Sequence, residues 1–149
     1  MKYCKNSNGI SLVELIAALA LVSMVAILIM TTLGIGFKHS IAESNKTSTQ
    51  QEANLIVSKL LNEHRKGECY YIKGDSVGIQ IAPTLCSSLT EPAANLFTQV
   101  SDSRFVVNMT SPSKMVNPTK EDYTLIAEVS LKRANYQINT KLSRYKTTN

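Results

Sequence analysis

The most marked pattern along the chain is a long apolar stretch near its start. Residues 15–37 form a run of 23 positions without a charge, long enough to cross a bilayer as a helix at about 1.5 Å per residue. A single carboxylate, Glu14, stands at the front of this stretch. Because a carboxylate near hydrocarbon costs roughly 2.5–3.5 kcal/mol on insertion scales, the sequence predicts that Glu14 has a partner.

A second helical pattern follows the polar residues 38–51. Apolar or weakly polar residues recur there at spacings of three and four, which is the period of a helix with one buried face: Ala53, Ile56, Val57, Leu60, Leu61 and His64. Basic residues then precede Gly67, a typical helix stop. We therefore predict one long helix from about Ile10 to Lys66, and we take His64 as the edge of its contact face.

Beyond the helix the period changes to two, which indicates strands. Residues 69–73 and 77–81 predict a hairpin around a glycine-containing turn. Residues 83–95 are expected to form a loop, residues 104–109 a short strand, and residues 111–122, which contain two prolines, a surface loop.

The last part of the chain predicts a second hairpin. We expect its turn at Ala134 and Asn135. The register that follows makes three cross-strand pairs on matching faces: Leu131 with Ile138, Ala127 with Leu142, and Glu128 with Lys141. The expected fold class is α+β, with a long N-terminal helix, transmembrane in its first half, followed by antiparallel β-strands.

Composition adds little charge bias and one candidate cross-link. The net charge is +5, weaker than that of a dedicated nucleic-acid binder. Of the three cysteines, Cys69 and Cys86 lie beyond the apolar stretch and could form a disulfide worth about 3 kcal/mol by loop-closure entropy. The alternative is two small buried apolar residues, and spacing alone leaves both open.

Four kinds of membrane segment can be weighed for residues 1–37. A secretory signal has an apolar core of only about 7–15 residues, and a lipoprotein signal places its cysteine after the core, whereas Cys4 precedes it. A plain anchor leaves Glu14 unexplained. Cleavage after Gly9, in contrast, frees an ammonium on Ile10 close to Glu14. The amine of one subunit could then meet the Glu14 of its neighbour, so the cost of the charge is relieved when subunits stack.

These residues resemble the leader of type IV prepilins and pseudopilins. A short basic leader ends at Gly9, the next residue, Ile10, is apolar, and Glu14 is the fifth residue after the cut. The usual first residue of that family is phenylalanine, so Ile10 is a mild departure. The resemblance covers residues 1–37 and implies cleavage after Gly9 by prepilin peptidase and N-methylation of Ile10.

The resemblance also implies that the long helix packs on a small antiparallel β-sheet, as in pilins, and it implies a domain organisation and a location. Residues 1–9 would be the removed leader, 10–37 the transmembrane or filament-core helix, 38–66 the second half of that helix, and 67–149 an antiparallel β domain. The chain would be a single-pass protein of the cell membrane with its β domain extracytoplasmic. Its partners would be prepilin peptidase, other pilin or pseudopilin subunits, and the membrane.

The sequence offers no motif for catalysis. Its two histidines, His39 and His64, give no metal-ligand spacing, and neither a glycine-rich phosphate loop nor a nucleophile with a recognisable base is present. We therefore expect no enzyme activity, no metal and no cofactor. Basic residues of the last hairpin could make weak DNA contacts or simply form a solvated face: Lys132, Arg133, Lys141 and Arg144.

Two functional classes remain. The first is a structural subunit, expected to be a minor one, of a pilus, a type II secretion pseudopilus or a competence filament for DNA uptake. The second is a membrane-anchored adhesin or a module that binds DNA or another ligand and keeps its N-terminus uncleaved. The state of residues 1–9 in the mature protein distinguishes them.

Overall fold

The computed structural model describes residues 11–75, 78–87 and 90–144. Helix α1 comes first and is followed by seven strands and one short 3₁₀ turn: α1 (Leu12–Lys66), β1 (Tyr70–Asp75), β2 (Gly78–Pro83), the 3₁₀ turn (Ala94–Leu96), β3 (Thr98–Gln99), β4 (Val106–Met109), β5 (Lys114–Val116), β6 (Tyr123–Leu131) and β7 (Ala134–Leu142). The chain divides into two compact units, the first ending at Ile41 and the second beginning at Ala42.

Within the second unit, α1 buries the predicted stripe. Ala53, Ile56, Leu60 and His64 are buried, and Val57 and Leu61 pack at the margin of the core. The stripe also extends one turn further back than predicted, through the buried Thr49 and Glu52. The helix ends as expected at Gly67, whose φ of 79° lies in the left-handed region that favours glycine.

Two antiparallel sheets complete the second unit. One has the strand order β3-β2-β1-β5 and the other the order β4-β6-β7. Inward-facing side chains of both sheets join the buried stripe of α1 in one core, including Ile72, Ile79, Leu125 and Val129. The predicted α+β class, a long N-terminal helix on an antiparallel sheet, is therefore confirmed, although the sheet is split in two.

The first predicted hairpin forms, with β1 and β2 paired from Tyr70 with Pro83 to Asp75 with Gly78. Its turn, positions 76 and 77, lies outside the described residues. The predicted loop at residues 83–95 begins one residue later, because Pro83 still pairs with Tyr70, and its last two residues already belong to the 3₁₀ turn.

The prediction that residues 111–122 form only a surface loop is wrong. Lys114–Val116 forms β5, which pairs with β1 and places Tyr70 opposite Val116. Val116 is fully buried, so a single apolar side chain anchors this short strand between Pro112 and Pro118. A strand of three residues is too short to show an alternating pattern in the sequence.

The predicted register of the last hairpin is also wrong. The turn falls at Lys132 and Arg133, so Leu131 pairs with Ala134, Ala127 with Ile138, and Glu128 with Gln137; Lys141 lies opposite Thr124. Lys132 takes the left-handed conformation that such a tight turn requires, with φ 57°. The observed pairing is shifted by four residues from the predicted one. Because four is an even number, every side chain stays on its predicted face. The apolar pattern therefore could not separate the two registers, since both use a turn of two residues.

Two polar side chains of α1 fix the segment between β3 and β4. The ammonium of Lys59 donates to the carbonyl of Val100 at 2.7 Å, and the buried carboxylate of Glu52 accepts from the backbone N–H of Asp102 at 2.7 Å. A buried carboxylate such as that of Glu52 is costly unless it is bonded. These contacts therefore specify where the segment crosses the helix.

Candidate functional site

Glu14 lies in the first turn of α1 and is exposed. Its backbone N–H donates to the carbonyl and to the hydroxyl oxygen of Ser11, at 3.0 and 3.3 Å. Ser11 thus caps the helix, and a serine followed three residues later by a glutamate is the capping-box pattern. The cap bonds use only the backbone N–H of Glu14, so they leave its carboxylate without a defined role.

Around Glu14 the helix presents an apolar surface on all sides. Every side chain from residue 11 to residue 41 is exposed in the described structure, among them Leu15, Ile27, Met30 and Phe37. The helix that contains them, Leu12–Lys66, is long and apolar enough to span a membrane. A continuous apolar surface of this kind requires either hydrocarbon or neighbouring apolar helices around it.

The hydroxyl groups of this apolar segment are satisfied within the helix. Ser23 donates to the carbonyl of Leu19 at 2.7 Å, Thr31 to that of Ile27 at 3.0 Å, and Thr32 to that of Leu28 at 3.0 Å. Such bonds remove the cost of a hydroxyl in a medium without water. Among residues 11–37, Glu14 is the only ionisable side chain, so it is the one group there with an unmet electrostatic requirement.

The other two residues of the predicted processing site, Gly9 and Ile10, lie outside the described residues. The structure therefore does not place the predicted cleavage and N-methylation site relative to Glu14. Cleavage after Gly9 and modification of Ile10 stay predictions.

The predicted disulfide is present. Cys69 and Cys86 are bonded, with their Cα atoms 5.2 Å apart, so the residue just before β1 is tied to the loop that follows β2. In the chain-entropy model a closed loop of this size stabilises the folded state by about 3 kcal/mol. The bond therefore holds the exposed loop at the base of the first hairpin.

His64, predicted as the edge of the contact face of α1, also makes a buried hydrogen bond. It is fully buried, and its Nδ1 shares a hydrogen bond of 3.1 Å with the hydroxyl of Tyr70. Its Nε2 is buried without a hydrogen-bond partner among the described residues. Burial lowers the pKa of His64 below its usual 6.5, and the carboxylates of Asp122 and Glu121 partly oppose that shift.

The four basic residues singled out for DNA contact do not form one patch. Lys132 and Arg133 make the turn before β7, whereas Lys141 and Arg144 lie at the far end of that strand. The nine residues of β7 span about 30 Å at 3.4 Å per residue. Lys141 is paired with Asp122 at 2.9 Å, and Arg144 is placed close to Gly67.

The described residues contain no group of three or more His, Cys, Asp or Glu side chains placed to hold a metal ion. Comparison with known proteins finds no matching family model, no matching curated protein and no matching solved structure. The chemistry of the residues themselves is therefore the basis for a functional proposal.

Proposed function

We propose that this chain is a structural subunit, of the minor kind, of a type IV filament system: a pilus, a type II secretion pseudopilus or a competence filament. It would be held in the membrane by the first part of α1 and processed after Gly9 by prepilin peptidase. The observation that carries the proposal is the isolation of Glu14. It is the sole ionisable side chain at the front of an apolar helix whose other polar side chains are satisfied internally.

The physical reason for assembly follows from that isolation. A carboxylate next to hydrocarbon is costly, and a free amine on Ile10 would be costly as well. Pairing the amine of one subunit with the Glu14 of its neighbour relieves both costs, and this pairing becomes possible only after cleavage. Processing would thus convert a stored membrane protein into an assembling one.

The α+β layout supports the same proposal. A long N-terminal helix, apolar in its first part and packed on an antiparallel sheet in its second, is the build that pilins share. A membrane-anchored adhesin with an uncleaved N-terminus needs the apolar segment too, but it gives the Glu14 carboxylate no partner.

The capping-box position of Glu14 calls for a charge-specific test. Glu14→Gln keeps a capping-box residue but removes the charge, whereas Glu14→Ala removes both. Glu43→Ala is the matched control, because Glu43 is an exposed carboxylate of the same helix beyond the apolar stretch. The measurement is the share of subunit found in sheared filaments, relative to membrane, in cells that contain prepilin peptidase and the other subunits.

If charge pairing drives assembly, Glu14→Gln and Glu14→Ala should both be cleaved yet lose more than about tenfold of their incorporation, since 1.4 kcal/mol already corresponds to tenfold. Glu43→Ala should assemble normally, and Gly9→Ala should keep its leader and stay in the membrane. Normal incorporation of Glu14→Gln would show that the charge of Glu14 is not needed for assembly and would contradict the pairing.

A further inference from the structure

The edge strands of the two sheets differ in how well they are protected from pairing with a further strand. In the first sheet both edge strands are very short, with β3 two residues and β5 three residues long, and β5 lies between two prolines. In the second sheet the β4 edge strand lies against the first hairpin, where Gly74 approaches Met109 and Gly78 approaches Val107. Short, proline-flanked or covered edges are the usual protection against unwanted strand pairing.

Strand β7, the other edge of the second sheet, has none of these protections. It is nine residues long, contains no proline, and pairs only with β6. No backbone hydrogen bond joins β7 to any other element in the described part of the chain. It is therefore a long open edge, in contrast to the three edges that are short or covered.

The direction of the backbone groups of β7 follows from β6. The carbonyl of Ile126 accepts from the N–H of Thr110 at 2.8 Å, so the backbone of Ile126 points towards the β4 side. Backbone groups alternate sides along a strand, so Ala127 faces β7 and bonds to its partner Ile138. The N–H and C=O groups that point to the open edge therefore belong to the intervening residues of β7, which are Asn135, Gln137, Asn139 and Lys141.

The charges around this edge are arranged at its two ends. Lys132 and Arg133 lie at the turn before β7, and Lys141 and Arg144 at its other end, while residues 134–140 carry no charge. The pair of Lys141 with Asp122 is exposed, so the positive character is stronger at the turn. On the inner side, the ring of Tyr136 is 39% exposed at the rim of the core.

We propose that the open edge of β7 binds an extended segment of a partner protein by strand addition, and that this segment is uncharged in its middle and acidic at both ends. The main-chain groups of Asn135, Gln137 and Asn139 would pair with the added strand. The acidic ends would meet the two basic ends of β7, and the exposed side of Tyr136 would gain a neighbour. The proposal does not depend on cleavage or filament assembly.

A second copy of this chain is a poorer occupant of the edge. Full antiparallel self-pairing places Ala134 opposite Leu142 and therefore Lys132 opposite Arg144. A shift of two residues towards the turn places Arg133 opposite Lys141 instead, whereas the opposite shift avoids this contact but pairs only residues 136–142 of β7. Like charges directly across a strand pair are destabilising, so the full pairing and the shift towards the turn both oppose self-association. Nucleic acid could meet the basic ends, but it has no strand backbone to pair with the open edge between them.

One position allows a backbone-specific test. Asn139→Pro removes an N–H that points to the open edge without removing a bond to β6, and proline is tolerated on an edge strand when its N–H side faces solvent. Asn139→Ala is the matched control, because it removes the same side chain but keeps the N–H. Arg133→Glu is a second variant that reverses charge at the exposed turn and leaves the backbone intact.

The test uses the full chain in detergent micelles and a fluorescent nine-residue peptide of alternating threonine and valine with two aspartates at each end. A control peptide carries lysines in place of the aspartates. By fluorescence anisotropy, the acidic peptide should bind the unmodified chain and Asn139→Ala equally. Asn139→Pro should weaken binding about fivefold to tenfold, the size of one lost hydrogen bond. Arg133→Glu should weaken binding of the acidic peptide and strengthen binding of the lysine peptide.

Several outcomes would overturn the proposal. They are no binding of the acidic peptide at millimolar concentration, equal binding of both peptides, or equal effects of Asn139→Pro and Asn139→Ala. Dimerisation of the free chain that Asn139→Pro abolishes would assign the edge to a second copy. Binding of duplex DNA at low salt without binding of the acidic peptide would assign the basic ends to nucleic acid.

Discussion

The two halves of α1 differ in whether their apolar side chains are exposed or buried. From residue 11 to residue 41 every side chain is exposed, and most are apolar. From Ala42 to Lys66 the helix is mostly polar, and a single stripe packs on the core, with Ile56 and Leu60 completely buried. The same backbone conformation therefore serves two purposes. The second half obtains its stability from the sheets of its own chain, whereas the first half requires apolar surroundings that the chain itself does not supply.

The largest difference between the two halves is expected in the free energy of unfolding, when one leucine in each half is replaced by alanine. Leu60→Ala removes a fully buried side chain and should lower the free energy of unfolding of the second unit by about 2–5 kcal/mol. Leu28→Ala, in the exposed apolar half, should leave that free energy unchanged within about 0.5 kcal/mol. Urea unfolding in detergent, followed by tyrosine fluorescence, measures both. Equal losses would show that the halves are not energetically distinct.

The disulfide should give the next largest effect, and again only in the second unit. Replacing both Cys69 and Cys86 by serine should cost about 3 kcal/mol of stability. Circular dichroism should show that the helix of the first unit persists in micelles when the second unit unfolds. A reducing agent should reproduce the loss in the unmodified chain and do nothing further to the double variant. A reductant-sensitive double variant would contradict this assignment.

A pH dependence should likewise be confined to the second unit. Burial holds the pKa of His64 in the folded chain below its usual 6.5. As the pH falls through 6.5, His64 of the unfolded chain therefore takes up a proton that the folded chain has not yet bound. Stability should therefore fall as pH drops from 7.5 to 5.5, by at most about 1.4 kcal/mol per pH unit from this group. His64→Leu should flatten the slope over this range, measured by urea unfolding at each pH. An unchanged slope would assign it to other groups.

The smallest effect is expected at the end of α1. Lys66 pairs with Glu63 at 2.6 Å, but both side chains are substantially exposed. Lys66→Ala should therefore lower the stability of the second unit by only about 0.2–0.5 kcal/mol. A loss as large as that of Leu60→Ala would mean that surface charge, rather than the buried stripe, holds this half of the helix. The same urea titration decides between them.

Much of this contrast could be predicted from the sequence, because it depends on periodicity. The apolar run, the stripe from Ala53 to His64, the stop at Gly67 and the α+β class all follow from spacings that the structure reproduces. The disulfide was one of two alternatives, and the structure selects it. These features depend on local patterns or on a single pair of residues.

The rest could not be predicted, for identifiable physical reasons. The hairpin of β6 and β7 has two registers four residues apart that bury the same faces, and only the turn at Lys132 separates them. Strand β5 is specified by its long-range pairing with β1 rather than by a pattern of its own. The bond between His64 and Tyr70 joins a helix to a strand, and no spacing in the sequence indicates it. At the candidate site, by contrast, the Ser11 cap is predictable from a serine three residues before a glutamate.

The central claim is that this chain becomes a filament subunit when its Glu14 pairs with the Ile10 amine of a neighbouring subunit. That amine exists only after cleavage. The most direct measurement is the intact mass of the chain isolated from cells with active prepilin peptidase. The account predicts a chain that begins at N-methylated Ile10, without residues 1–9. A chain that still begins at Met1 would contradict it, and would leave Glu14 in the first turn of a plain membrane anchor.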